Sequence, residues 1–257
     1  MRYCRIDDGG RPAFGLVEDD VIRLLDGSPL DGGRPDGRVR AVAGVRWLPP
    51  IVPGVFYAVG YNYRSHVEHT AGKLPERPEV GYRANNALTG HLSPIVRPAG
   101  VENRFEAEPE VVAVVRRTLK NASRPEAQES ILGWTIGNDV SARDWQHADR
   151  TFWRSKNSDT FKPMGPWIET DVDPMVQTTT VRIDGSVVAK FPTGAMVFDP
   201  FDYIVETTKY ITMHPGDVLW MGADATVQME PGNVVDIEIS GIGVLSNPVH
   251  SERPPDE

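Results

Sequence analysis

Three glutamates at alternate positions, Glu106, Glu108 and Glu110, stand immediately before the apolar run 111–115. On a strand, side chains two positions apart share a face, so these carboxylates converge. Like charges gathered beside a buried strand repel and are costly to desolvate unless a cation, a proton or an arginine compensates. Oxygen-only ligation suits a hard cation, Mg2+, Mn2+ or Ca2+, better than zinc or copper. A second acidic element, GNDVSARD, places Asp139 after the apolar ILGWTIG and Asp144 at the end of the turn, where a further ligand can complete such a site. Taken alone, both patterns have plainer readings: a solvated edge strand for the glutamates, and ordinary turn chemistry for Asn138-Asp139.

The elements that must position these groups are mostly strands. FYAVGYNY reads as a strand, ILGWTIGNDVSARD as a strand meeting a polar turn, TTTVRIDGSVVAKF as a hairpin about Asp184-Gly185, and NVVDIEISGIGVLSNPV as closing strands. Two segments read as helices: RPEAQESILG, opened by Ser123 and Pro125 and closed near Gly133, and DPFDYIVETTKYITM, whose Phe201, Ile204, Val205 and Tyr210 keep helical spacing. Single helices among many strands, with 24 Gly and 22 Pro, predict an α+β, mainly β fold rather than a doubly wound parallel sheet. The first 50 residues alternate short apolar runs with Gly and Pro clusters, and LPPIVPG at 48–54 reads as a linker. The chain therefore divides into a small β-rich unit, 1–50, and a larger domain, 51–257. The tail SERPPDE is expected to fray.

Composition narrows the partners. With 27 basic against 36 acidic residues the formal net charge is -9, which repels phosphate backbones and anionic membranes and excludes nucleic acid as an expected partner. The single cysteine, Cys4, rules out an internal disulfide framework and thiolate-rich metal sites, and is expected to be a small buried residue. No stretch approaches 18 uninterrupted apolar residues, and the N-terminal segment has neither signal nor transit character. The expected location is the cytoplasm.

The segments GYNYRSHVEH, EPEVVAVV, GWTIGNDVSARDWQ, SKNSDTFKPMGPWI, FPTGAMVF, TMHPGDVLWMG and VVDIEISGIGVLSNPV occur in an order and spacing that resembles the fumarylacetoacetate hydrolase family of small bacterial enzymes, over about residues 1 to 250. The resemblance implies a mixed β-sheet domain rolled, barrel-like, around a metal pocket, a small N-terminal β-rich domain, and a homodimer. It assigns the metal to Glu108, Glu110 and Asp139, because this pairing puts the apolar strand directly after the second glutamate; Glu106 is the fallback. It also implies an open site on Mg2+ or Mn2+, with Ca2+ an alternative, where a small-molecule 2-oxo acid or β-dicarbonyl binds as a chelate and passes through an enolate.

By the same resemblance Lys156 points at substrate oxygens and Arg143 with Gln146 faces the substrate, the arginine suited to a carboxylate; a structural role for Arg143, holding Asp144 or Asp139, is the alternative. Thr193 is expected at the substrate, and Tyr63 either lines the pocket or belongs to the core. His66, in the position that opens a mobile lid over 61–78, is the candidate to activate water. The family's acid three positions later is His69 here, and the glutamate stands one residue earlier, as Glu68. A Thr-Gly-Thr-Pro turn of many members is replaced by Met221, Gly222, Ala223 and Asp224, which implies altered substrate contacts at Asp224. Arg83 keeps a positive charge where the family usually has lysine. The expected activity is hydrolytic C–C cleavage of an acylpyruvate or related compound. Isomerisation, decarboxylation or dehydration on the same metal site is the alternative, and an idle metal-binding scaffold a minor one.

Overall fold

In the computed structural model, which describes residues 1–69 and 72–252, the apolar run after the glutamates becomes the strand Pro109–Val115 inside a 12-stranded mixed sheet. Its side chains alternate between two cores. Val111, Ala113 and Val115 pack with Phe105, Ile136 and Leu219, while Val112 and Val114 pack with Phe56, Met164, Ile168 and Trp220. A strand covered on both faces carries no polar alternation, which accounts for the unbroken VVAVV.

Ile131–Asn138 and Val218–Trp220 flank this strand, both antiparallel to it. Lys162–Glu169 lies beyond the first, and Phe56–Ala58 lies parallel beyond the second. The N-terminal strands Arg2–Asp7, Pro12–Glu18, Val21–Leu25 and Pro35–Ala41 extend the same sheet, joined where Arg2 and Tyr3 pair with Glu169 and Ile168. They have their own small core of Cys4, Ile6, Val17, Ile22, Leu24 and Trp47. Burial pushes the Cys4 thiol up to about 12, so it is an inert packing group.

A second sheet, of five strands, runs Ser186–Pro192, Thr178–Ile183, Val234–Ile239, Gly243–Ser251 and Ile95–Arg97. The turn of its first hairpin is Asp184-Gly185, both with positive φ (51° and 80°), the conformation a two-residue hairpin loop requires. The helix Pro200–Tyr210 is capped by Asp199, which accepts from the amides of Phe201 and Asp202. The other expected helix is shorter than its sequence pattern: Ser123 and Glu126 form a capping box, but helix ends at Glu129 and Ile131 already belongs to the strand. Pairing of that strand with Pro109–Val115 overrides the local helical spacing. The class is α+β, mainly β, and the sheets do not close into a barrel among the described residues. No helix of these residues is long and apolar enough to cross a membrane. Of the expected frayed tail, residues 253–257 lie outside the described residues.

Candidate metal centre and active site

The glutamates do not lie on one strand. Phe105–Ala107 pairs with Val227–Gln228 in a separate three-stranded sheet, Pro109–Val115 belongs to the large sheet, and the chain changes sheets at Glu108. Asn138 and Asp139 clamp this crossing: the Glu108 amide donates to Asn138 Oδ1 (3.0 Å), and the Asp139 amide donates to the Glu108 carbonyl (2.9 Å). Asn138-Asp139 is thus turn chemistry and site architecture at once.

The result brings Glu108, Glu110 and Asp139 together, each offering an oxygen within 4.8 Å of the others. Glu106 is held apart by arginines. Its Oε1 accepts from Arg104 (2.6 Å) and its Oε2 from Arg143 (2.8 Å). Arg143 also donates to Glu108 Oε1, and to Gln146 Oε1 at 2.6 Å. The structural alternative for Arg143 is corrected accordingly: it grips Glu106 and Glu108, whereas Asp144 accepts from the amides of Glu102 (2.8 Å), Asn103 (2.8 Å) and Arg104 (3.2 Å).

Lys156 lies on the short helix Trp153–Asn157, steadied by Asp149, which accepts from Arg154 (2.7 Å) and from the Ser155 amide (2.9 Å). Its Nζ reaches Glu108 Oε2 at 2.7 Å and Asp139 Oδ2 at 3.0 Å. Asn157 accepts from the Ala84 amide (2.8 Å), which fixes the neighbouring Arg83 against the site. Arg83 donates to both Asp139 oxygens (3.2 and 2.8 Å). Lys162, wholly buried, approaches Asp139 Oδ1 at 2.6 Å. Nothing in the sequence reading singled it out. A lysine between Phe161 and Pro163-Met164 in a strand is the available signal, because a buried lysine requires a partner.

These neighbours split the carboxylates. Burial alone would raise Asp139, but Arg83, Lys156 and Lys162 outweigh it and hold the group well below the usual carboxylate range. Glu108 is likewise lowered, Lys156 and Arg143 overcoming burial. Glu110 goes the other way: burial, then the charges of Asp139 and Glu108, push it well above its ordinary value. Its Oε2 accepts from the Gly222 amide at 2.7 Å, whereas Oε1 is buried with no hydrogen-bond partner. An orphaned carboxylate oxygen beside two others is what a hard divalent cation satisfies, so the donor set fits Mg2+ or Mn2+.

The site opens into a cavity of about 500 Å3 lined by Arg83, Glu106, Glu108, Asp139, Arg143, Gln146, Lys156 and His66, with Tyr61 and Phe152 on its walls. His66 is half-buried on the helix Arg64–His69, its ring centroid 6.1 Å from that of Tyr61. Burial lowers its basicity, Glu108 opposes this, and Arg143 and Lys156 add to it, so the ring is neutral at neutral pH and able to accept a proton.

Other expected residues lie elsewhere. Tyr63 is buried and donates to the Thr193 carbonyl at 2.6 Å, and the Thr193 hydroxyl pairs with that of Thr179 at 2.8 Å; neither Tyr63 nor Thr193 lines the cavity. Tyr63 thus takes the core place of its two expected ones, and the expected substrate contact of Thr193 is corrected, since its side chain is buried off the cavity. Glu68 is exposed and, two residues along a helix from His66, faces away from the cavity. The His69 side chain lies outside the described residues, as do Thr70 and Ala71 of the expected lid. Asp224 does not line the cavity but is close enough to raise His66 electrostatically; Gly222, Ala223 and Thr226 of the same turn do line it. Asn62 ties that turn to the start of the His66 helix, donating to Met221 O (3.0 Å) and Phe198 O (3.1 Å).

Fold and site together define a carboxylate-lined pocket for a divalent ion on a mixed β scaffold. Residues 55–250 match the fumarylacetoacetate (FAA) hydrolase C-terminal family, and residues 1–50 match the Rv2993c-like N-terminal family. The chain belongs to the fumarylacetoacetate hydrolase family, an enzyme family acting on small molecules and including hydrolases, isomerases, decarboxylases and tautomerases. Protein Rv2993c of Mycobacterium tuberculosis is 38% identical over 261 residues, covering 97% of this chain and 98% of that protein. A 4-hydroxyphenylacetate degradation bifunctional isomerase/decarboxylase of Salmonella dublin is 32% identical over 80% of this chain and 49% of its own length. The crystal structure of a 5-carboxymethyl-2-hydroxymuconate delta-isomerase from Mycobacterium smegmatis superposes with a TM-score of 0.89 at 36% identity, covering 98% of this chain and 100% of that one.

Proposed function

We propose that this protein is a Mg2+- or Mn2+-dependent enzyme that moves a proton on a 2-oxo acid, interconverting keto and enol forms or shifting a double bond beside the carbonyl. Decarboxylation of such an acid is the adjoining reaction. The observation that carries this is the convergence of Glu108, Glu110 and Asp139, with the partnerless Glu110 Oε1 among them, in a cavity that also holds Lys156, Arg143 and His66.

Glu108, Glu110 and Asp139 would hold the ion, which supplies Lewis acidity toward the two oxygens of a 2-oxo acid. Lys156 sets an ammonium beside these oxygens and offsets the negative charge that develops when a proton leaves the adjacent carbon. Arg143, oriented by Glu106 and Gln146, presents its guanidinium to a substrate carboxylate. His66, neutral and on the cavity wall, accepts the proton and returns it. The isomerase relatives support this reading.

Hydrolytic C–C cleavage of an acylpyruvate is the second reading, supported by His66 on the cavity wall, where it could serve as base toward water. Against it, Glu68 is exposed and off the cavity wall. Residues 1–50 as a separate accessory domain, a homodimer and a cytoplasmic location complete the proposal.

Proton NMR in D2O with oxaloacetate and an acylpyruvate decides between the readings. Expected are Mg2+-dependent hydrogen exchange at the carbon beside the ketone and its loss in His66→Ala. Two acids formed from one would put hydrolysis first. No metal-dependent change with either compound would overturn both.

A further inference from the structure

Lys162 is a buried charge that the proposed chemistry does not use. It is fully enclosed, and its Nζ has three partners: Asp139 Oδ1 at 2.6 Å, the Phe161 carbonyl at 2.9 Å and the Val140 carbonyl at 3.1 Å. Three acceptors saturate an ammonium. Two of them are backbone atoms flanking the site, so the head group is held in one place.

Arg83 Nε adds a second donor to the same oxygen of Asp139, at 3.2 Å. On Glu110 the Gly222 backbone amide occupies Oε2, leaving Oε1. Enclosed groups therefore hold one oxygen of Asp139, through Lys162, and one of Glu110, through the Gly222 amide; Asp139 Oδ2 is held by Arg83 (2.8 Å) and Lys156 (3.0 Å), both of which line the cavity. The donors on Glu108 differ in kind. Lys156 and Arg143 both line the cavity, and Lys156 bridges two carboxylates from a flexible stem, so both can turn toward a ligand.

We propose that Lys162 is a positioning residue that limits Asp139 to a single ligating oxygen and thereby tunes the site to a small six-coordinate cation and against Ca2+. This rests on the divalent-ion reading above. Ca2+ takes roughly six to eight oxygens and readily uses carboxylates in bidentate fashion, whereas Mg2+ requires a near-octahedral set and keeps several positions for water or substrate. A site in which Asp139 and Glu110 would offer one oxygen each, and Glu108 at most two, would suit a small cation that keeps places for a chelating substrate and would give Ca2+ few protein oxygens.

The test is calorimetric titration of chelator-stripped wild type, Lys162→Met and Lys162→Gln with Mg2+, Mn2+ and Ca2+. Wild type is expected to bind Mn2+ and Mg2+ more tightly than Ca2+. In Lys162→Met, where Asp139 Oδ1 keeps only the longer bond from Arg83 on the cavity wall, Ca2+ affinity should gain at least about tenfold relative to Mn2+, as a second carboxylate oxygen comes within reach. Lys162→Gln keeps an N–H for that oxygen and should retain most of the wild-type ratio. Loss of a positive charge alone would tighten all three ions alike, and a loosened fold would weaken all three alike; either leaves the ratio unchanged and overturns the proposal. Infrared difference spectra add a second readout: a bidentate carboxylate band with Ca2+ that is stronger in Lys162→Met than in wild type supports it, and identical bands in the two refute it. A wild type that binds none of the three ions overturns the metal reading itself, while binding with an unaltered ratio overturns only the role of Lys162.

Discussion

Asp139→Asn exposes how much of the fold depends on charge balance at the site. Asp139 accepts from Arg83 and Lys156 at 2.8 to 3.2 Å and forms an ion pair with Lys162 at 2.6 Å, all in the protein interior. Removing one partner of a buried pair costs roughly 3–5 kcal/mol because a charge is left unmatched. Here the cations share that cost unequally. Lys162 is already lowered to about 7 by burial, so it escapes the penalty by shedding its proton. Lys156 keeps Glu108. Arg83, with 13% of its side chain accessible, cannot deprotonate, and the loss falls chiefly on it. That places Asp139→Asn near the lower end, about 3 kcal/mol, or roughly 6–12 °C in Tm for a chain of this size. Thermal unfolding followed by circular dichroism in excess chelator measures it free of any contribution from metal loss. Adding Arg83→Met to Asp139→Asn should recover most of the fall, since the stranded charge goes too. A Tm for Asp139→Asn within about 2 °C of wild type, or a double variant whose losses simply add, would refute the reasoning.

Three further outcomes follow from the same physical picture. Glu110 is raised well above its ordinary value, so in the metal-free protein the folded state holds a proton that the unfolded state releases; its contribution to stability declines as pH rises above the unfolded value near 4.5. Glu110→Gln should therefore raise the chelator-treated Tm more at neutral pH than at pH 4.5 while abolishing divalent-ion binding, and a Tm gain independent of pH would contradict this. His91 accepts from the Ser246 amide at 3.0 Å and is lowered by burial to about 4, so protonation favours unfolding between that value and 6.5. Stability should fall by up to about 3 kcal/mol as pH drops across this window, and His91→Asn should flatten the curve in urea titrations; an unchanged slope would count against the assignment. Gly137 pairs with Glu110 across the strands, and a Cβ there would come within 2.4 Å of the Trp220 ring. Gly137→Ala should cost about 1–3 kcal/mol by overpacking and weaken Mn2+ binding, whereas a variant melting with wild type would show that the ring yields freely.

The parts of this protein legible in its sequence are those written as local pattern. VVAVV announces an apolar strand, Asp184-Gly185 announces a hairpin, and the spacing of Phe201, Ile204, Val205 and Tyr210 announces a helix; all three stand where their chemistry places them. The converging carboxylates were also readable, but through a wrong intermediate. Period-two spacing implied one strand, whereas Glu108 lies at a crossing between two sheets, and the glutamates meet Asp139 because Asn138 holds that crossing. Spacing reported that the side chains share a side; it did not report the change of sheet. Thr193 misled for a related reason: segments that pack just behind a site match a family's order as well as segments that touch it.

Lys156 and Arg83 stand out in the sequence only through the family resemblance, and what the sequence hid is Lys162 and the convergence of all three on Asp139. Arg83, Lys156 and Lys162 come from a loop, a short helix and a strand, at separations with no periodicity, and each is one basic residue among the chain's 27. The glutamates, however, demand them. Three carboxylates within 4.8 Å of one another cannot all ionise in a dry interior without positive charge nearby, so the acidic cluster implies basic partners even where it cannot name them. The partition of those partners is the part only geometry supplies: Lys156 and Arg143 on the cavity wall, where substrate can compete for them, and Lys162 behind Asp139, where nothing from the cavity can. A site built this way can exchange its front cations for an ion and a substrate while its rear cation keeps the ligand carboxylate aimed, which is why Lys156 should govern turnover and Lys162 the choice of ion.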